Sequence, residues 1–232
     1  MGSIFVVRHG QAAFGTDNYD RLTALGKAQC RHLGEYLAER GIKMDALFMG
    51  GLTRHRESLE ALLEGYASRA GAPSAASAEV FAVLNEYDPD AVVVAFGGQR
   101  MGAHQAAEAR DPHVVRQHFR LLRDALAAWA EGRTAPLGMP SFMQFQYDAN
   151  DVLRIARERY TDGNVVIVTS GGPIGAIVAA TLQSPPAIAV DLNLRIRNAS
   201  LSEFSSSARR HHLVSFNSVA HLEGKADCIT YT

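Results

Sequence analysis

Only two cysteines occur, Cys30 within a helical pattern and Cys228 near the C-terminus. Two scattered thiols make no disulfide framework, so a reducing compartment is expected. Neither sign of charge is in excess. A net charge of −1 and a pI of about 6.8 exclude a basic footprint for nucleic acid or for an anionic membrane. No apolar run approaches the ~20 residues a membrane span needs, and no leader pattern precedes the first apolar run. The expected location is cytoplasmic, where the sequon Asn198-Ala199-Ser200 has no consequence. No group of Cys, His and carboxylate residues has metal-ligand spacing, so neither a metal nor an organic cofactor is expected. Repeats, low-complexity tracts and clear linkers are also missing. The 232 residues suffice for one domain with a large core, or one with an inserted cap.

What is there is organised around Ile4-Phe5-Val6-Val7-Arg8-His9-Gly10-Gln11. A short apolar run, suited to a buried strand, ends in a cation, an imidazole and a glycine. In open α/β sheets, ligands collect beyond the carboxyl ends of such strands. A single Arg-His pair after a strand is usually a solvated turn, but here the pattern recurs. Leu47-Phe48-Met49 runs into Gly50-Gly51-Leu52-Thr53-Arg54, Val80 to Leu84 into Asn85-Glu86, and Val165 to Val168 into Thr169-Ser170-Gly171-Gly172. Four expected strands thus deliver polar or glycine residues at the same end, as a phosphate site requires.

Between them, Leu22, Leu25, Leu33, Tyr36 and Leu37 share a helical face, with Thr23 or Asp20 as cap and Gly41 as stop. Thr53 to Arg69 reads as a second helix. From Asp88 to about Phe145 the order of elements changes. Val92 to Phe96 is apolar, Pro112 opens a helix striped by Phe119, Leu122, Leu126 and Trp129, and Gly132 to Pro140 is loop. This stretch reads as an inserted cap, where such folds vary substrate choice. Phe142 to Tyr160 is another helix, and Pro173 falls in the first turn of the one after the last parallel strand. Ser200–Ser205 and His212–Phe216 read as a hairpin turning at Ala208-Arg209-Arg210.

These residues together resemble the histidine phosphatase superfamily, the phosphoglycerate mutase-like proteins. The resemblance rests on Arg8-His9-Gly10, Thr23-Ala24-Leu25-Gly26, Leu52-Thr53-Arg54, Glu86 and Val168-Thr169-Ser170-Gly171-Gly172, in the family's order and over nearly the whole chain. It implies an α/β three-layer sandwich: a mostly parallel sheet flanked by helices, with a small helical cap insertion. The expected organisation is a single domain, 1–232, with the cap at about 88–145.

The resemblance also implies chemistry. His9 becomes the nucleophile that forms a phosphohistidine, and an imidazole pKa near ~6.5 leaves it largely neutral at neutral pH. Arg8 and Arg54 hold phosphate oxygens in forked geometry. Glu86, which alone would read as a surface carboxylate, protonates the leaving group and then activates water, with Asp88 as neighbour or reserve acid. Gly10, Ser170 and Gly171 complete the substrate-binding set. The sequence departs from the family pattern at Ser170, where a second histidine is usual, and from the pattern of the family's mutases at Ala12 and Gly15, where a hydroxyl residue and an asparagine follow Arg-His-Gly. Losing one donor to the phosphoryl group typically costs about 3 kcal/mol. His55 is not expected to replace it, because neighbouring helical residues point ~100° apart and Arg54 already faces the site. Neither His104, in the expected cap, nor His221, expected to cap local backbone, is expected to replace it, and Asn18, three residues after Gly15, is not expected to fill that position's role.

The expected function is therefore hydrolysis of a phosphate monoester, on a small molecule or a phosphoprotein. The alternatives are a phospho-ligand binding protein weakened in catalysis by Ser170 and, third, a mutase-like phosphotransferase. Substrate and oligomeric state are left open by the sequence.

Overall fold

The computed structural model describes residues 2–13, 20–71, 77–100, 112–225 and 227–231. Six strands form one sheet in the order β3-β2-β4-β1-β5-β6: β1 Gly2–Arg8, β2 Ala46–Met49, β3 Ala78–Val80, β4 Asn164–Thr169, β5 Leu201–Ser206 and β6 His211–Ser218. The first four run parallel and the terminal hairpin β5–β6 is antiparallel. Among the described residues there are seven α-helices: α1 Ala24–Glu39, α2 Thr53–Ala70, α3 Pro89–Ala95, α4 Pro112–Ala130, α5 Phe142–Arg159, α6 Gly171–Thr181 and α7 Pro186–Asn193.

The layers follow from the two-residue period of the strands. Ile4, Val6, Val165 and Ile167 point to one face, where Val152, Leu153 and Ala156 of α5 and Ile174, Ile177 and Val178 of α6 cover them. Phe5, Val7, Val166 and Val168 point to the other, against Leu33 and Leu37 of α1 and Leu59 and Leu62 of α2. Both faces of the central strands are dry, which is why these runs are apolar throughout rather than alternating. The expected α/β sandwich is observed.

Two local readings change. Val80 to Leu84 is not one strand: β3 ends at Val80, and Ala82–Leu84 is a 3₁₀ turn. The ladder closes with Phe81 N–H on the Met49 carbonyl at 2.8 Å, after which Leu84 turns fully inward and its carbonyl accepts the Thr169 hydroxyl at 2.6 Å. That turn carries Glu86 toward the end of β4. Asp88 is no reserve acid: its carboxylate caps α3, accepting the Asp90 and Ala91 amides at 2.9 and 3.1 Å.

Within 88–145, α3 and α4 build their own cluster. Val92, Val93, Leu122, Leu126 and Trp129 pack with Phe142 and Phe145 of α5 and Ala189 and Val190 of α7. His104 lies outside the described residues, as do Gly15 and Asn18.

Candidate active site

The carboxyl ends of β1, β2 and β4 are neighbours in the sheet, so the residues that follow them converge. His9 directly follows β1. Its N–H donates to the Thr169 carbonyl at 2.9 Å, which ties it to the end of β4, and its ring is almost fully buried. Nδ1 lies 2.8 Å from the Gly10 carbonyl, and only a protonated Nδ1 can use that acceptor. The lone pair is thereby left on Nε2, the nitrogen able to attack. Burial first, then the charges of Arg8 and Arg54, then His55, hold the His9 pKa well below the usual histidine range, although the Gly10 carbonyl opposes them. His9 is a neutral imidazole at physiological pH.

Gly10 has both backbone groups engaged, its carbonyl by His9 and its N–H by Ser58 Oγ at 3.0 Å. Ser58 in turn donates to the Arg54 carbonyl at 2.6 Å. The first turns of α2 therefore brace the loop that holds His9.

Arg54, largely buried at the start of α2, donates from Nη1 to Asp20 Oδ1 at 3.0 Å. The same carboxylate accepts the Thr53 amide at 2.8 Å and caps a helix whose N-cap, Leu52, has no capping side chain. Asp20 was expected as a possible cap for α1; Thr23 does that instead, accepting the Gly26 amide at 3.0 Å. Arg8 donates from Nη1 to the carbonyls of Ile196 and, at 3.1 Å, Tyr231.

Glu86 reaches the start of α6, where its two oxygens accept the Gly172 amide at 3.1 and 3.3 Å. The close approach depends on glycine: a Cβ at position 172 would stand 2.2 Å from Glu86 Oε1. Loss of hydration raises the Glu86 pKa above the usual carboxylate range, opposed by Arg54, the Gly172 amide and Arg8. The charges of both arginines thus act on both His9 and Glu86. The site brings together a neutral imidazole, two guanidiniums and an acid that holds its proton more firmly than usual.

His55 overturns its sequence expectation. It is fully buried, its ring centroid is 5.9 Å from that of His9, and its Nε2 is 2.7 Å from Ser170 Oγ. Arg54 and His55 do diverge around the helix. The site wraps around that helix end, however, with Arg54 turned to Asp20 and His55 to the end of β4. Gly50 admits the ring, since a Cβ there would lie 2.3 Å from His55 Nδ1. His221 is also buried, with its ring 6.1 Å from that of Tyr36. Ser58 and Asp20 carried no sequence signal for the site, because their partners come from distant elements. Among the described residues no group of three or more His, Cys, Asp or Glu side chains is placed to hold a metal ion, and no helix is long and apolar enough to cross a membrane.

Comparison with known proteins agrees with this architecture. The family model of the histidine phosphatase superfamily (branch 1) matches residues 103–219. That stretch includes Ser170 and Gly171 but not Arg8, His9, Arg54 or Glu86. No curated protein matches the sequence. Among solved structures, a phosphoserine phosphatase from Entamoeba histolytica in complex with phosphoserine is 15% identical, with a TM-score of 0.65 over 96% of this chain and 100% of that one. A mycobacterial glucosyl-3-phosphoglycerate phosphatase is 24% identical, with a TM-score of 0.60 over 93% and 98%. A phosphoglycerate mutase from Bacillus anthracis is 16% identical, with a TM-score of 0.64 over 95% and 94%. At these identities the likeness is one of fold.

Proposed function

We propose that this chain, which belongs to the histidine phosphatase superfamily, hydrolyses a phosphate monoester through a phosphohistidine on His9. The observation that carries the reading is the opposed protonation of the two central groups. His9 is held neutral with Nε2 unprotonated, while Glu86 is held toward its acid form.

In the first step His9 Nε2 attacks phosphorus, and the bond to the ester oxygen breaks. Glu86 gives its proton to that oxygen, releasing the alcohol and leaving a carboxylate. In the second step the carboxylate takes a proton from water, the resulting hydroxide attacks phosphorus, and His9 leaves. Inorganic phosphate departs and Glu86 is again protonated. Arg8 and Arg54 bind the nonbridging oxygens and carry the charge spread over them in both transition states. Ser170 adds a neutral donor, and Gly171 stands at the first turn of α6, where amides favour an anion.

The chain is read as one domain, 1–232, with 88–145 as a cap whose α3 and α4 shape the entrance. Tyr87 links the two parts: it follows Glu86, its ring lies 6.0 Å from Trp129, and its hydroxyl accepts from Asn193 Nδ2 at 3.0 Å. Neighbours of this fold act on phosphoserine and glucosyl-3-phosphoglycerate. Small anionic phosphate monoesters are therefore the first substrates to try.

The test is phosphate release from p-nitrophenyl phosphate without added metal, wild type against His9→Ala, with acid-labile phosphate on the protein measured after quenching. The expected result is release that His9→Ala abolishes, together with labelled protein. Release unaffected by His9→Ala would sink the mechanism. Phosphate binding without release would leave a phospho-ligand binding protein, and transfer between positions of one substrate would make it a mutase.

A further inference from the structure

His55 is an expensive residue to bury. Its ring is fully enclosed, and Nδ1 lies beside the Gly50 backbone, whose carbonyl favours the protonated ring, without completing a hydrogen bond there. An apolar side chain would fill the same space without stranding a polar atom. Position 50 is glycine, as the ring requires. The group kept at this cost lies against His9, and its Nε2 is 2.7 Å from Ser170 Oγ at the start of α6.

Either imidazole tautomer satisfies a 2.7 Å contact: the Gly50 carbonyl beside Nδ1 favours the Nδ1–H form, and an anion beside Ser170 favours the Nε2–H form. If Ser170 gave its hydrogen to the ring, its oxygen would turn lone pairs toward the phosphoryl group. If the ring gives its hydrogen to Ser170, the hydroxyl hydrogen is directed at the anion.

We propose that His55 is a positioning residue that acts through Ser170: Nε2–H donates to Ser170 Oγ, so that Oγ–H points at a nonbridging oxygen of the bound phosphoryl group. The inference rests on the reading of this site as one for phosphate. The second imidazole that position 170 lacks is then present in the site, reaching the phosphoryl group through a hydroxyl. Burial and the neighbouring Arg54 hold the unliganded ring at a pKa of about 3, against Asp20 and the Gly50 carbonyl. A bound dianion pulls the other way and strengthens the relay.

The experiment is calorimetric binding of inorganic phosphate to wild type, His55→Ala, His55→Gln, Ser170→Ala, the His55→Ala/Ser170→Ala pair and the His55→Ala/Ser170→His pair. Nitrogen-15 spectra of the histidines are recorded with and without phosphate. Each single alanine variant is expected to weaken binding by about tenfold. The double alanine variant should be no weaker than the worse single one, as for two members of one relay. His55→Gln, which keeps a donor and the fold, should retain most of the affinity. Ser170→His in the His55→Ala background should restore it, which a packing role for His55 does not predict. The His55 Nε2 resonance should move on phosphate addition. Unchanged affinity in His55→Ala, simple addition of the two losses, or no phosphate binding by wild type would each overturn the proposal. Because the readout is binding, a failure to hydrolyse esters would sink the phosphatase reading and leave this result standing.

Discussion

Glu86 and Gly172 are joined by a hydrogen bond that only glycine permits, the carboxylate oxygens standing 3.1 and 3.3 Å from the amide nitrogen. The contact fixes the acid at the helix end beside the strand that holds His9. It also sets how far the carboxylate extends into the site. Gly172→Ala would place a methyl group 2.2 Å from Oε1 and 2.7 Å from the Tyr87 ring. The carboxylate is the free end of a flexible side chain, so it moves before the helix does. The expected outcome is a fall in kcat of about 10²-fold, with a melting temperature close to wild type. Loss of the fold alongside activity would show that the contact is structural first.

The pH profile follows from two shifts of opposite direction. The proposed mechanism needs His9 neutral and Glu86 protonated in the free protein. Because His9 titrates well below the usual histidine range, the acid limb of kcat/KM should lie below about pH 6.5. Because Glu86 titrates above the usual carboxylate range, the alkaline limb should lie above about pH 4.5. Glu86→Gln should remove the alkaline limb. It should also slow esters with poor leaving groups far more than p-nitrophenyl phosphate, whose leaving group needs little protonation. An alkaline limb that persists in Glu86→Gln would assign the acid elsewhere.

The strand ends were legible in the sequence because a dry parallel strand is a continuous apolar run, and a polar residue at its end stands out. Arg8, His9, Arg54 and Glu86 stand out that way, and all four lie where the sheet order brings β1, β2 and β4 together with the turn after β3. His55 was missed for a physical reason. Helical periodicity describes directions around one helix, and it cannot say that a site encloses the helix end on two sides. Asp20 and Ser58 were missed because a hydrogen bond between distant segments leaves no local pattern. Asp88 misled because a carboxylate near a candidate acid and a carboxylate before Pro89 look alike until the helix it caps is seen.

Asp20 couples Arg54, an arginine proposed to bind the anion, to its helix. Burial alone would raise its pKa, but the Thr53 and Arg54 amides, the Thr53 hydroxyl and the Arg54 charge hold it below the usual carboxylate range. Asp20→Ala removes the cap of α2 and frees the Arg54 guanidinium from its 3.0 Å contact. The expected cost is about 1 kcal/mol of stability, with a rise in KM of about tenfold as the guanidinium loses its orientation. Asp20→Asn should keep most of the cap and lose most of the charge pairing. Denaturant midpoints and steady-state kinetics on the two variants separate these effects. Equal KM values for wild type and Asp20→Ala would show that Arg54 is held by other contacts.

Acid should weaken the fold through its buried and half-buried histidines. His9, His55, His211 and His221 all titrate below their ordinary value, His55 at about 3 and His221 at about 4, with burial the largest cause for each. As pH falls below about 6.5 the unfolded chain takes up protons that the folded chain refuses. Stability present above that pH is therefore lost on the way down, and the loss from His55 is complete only near its folded pKa. Glu86 acts in the other sense: its raised pKa lets the folded chain hold a proton the unfolded chain gives up, so stability falls as pH rises from about 4.5. Four histidines against one carboxylate make the net slope positive in this range. His55→Gln, which cannot titrate, should lose less of its urea midpoint between about pH 7 and pH 4.5 than wild type does. The same slope in both proteins would mean that the ring takes up its proton before the chain unfolds.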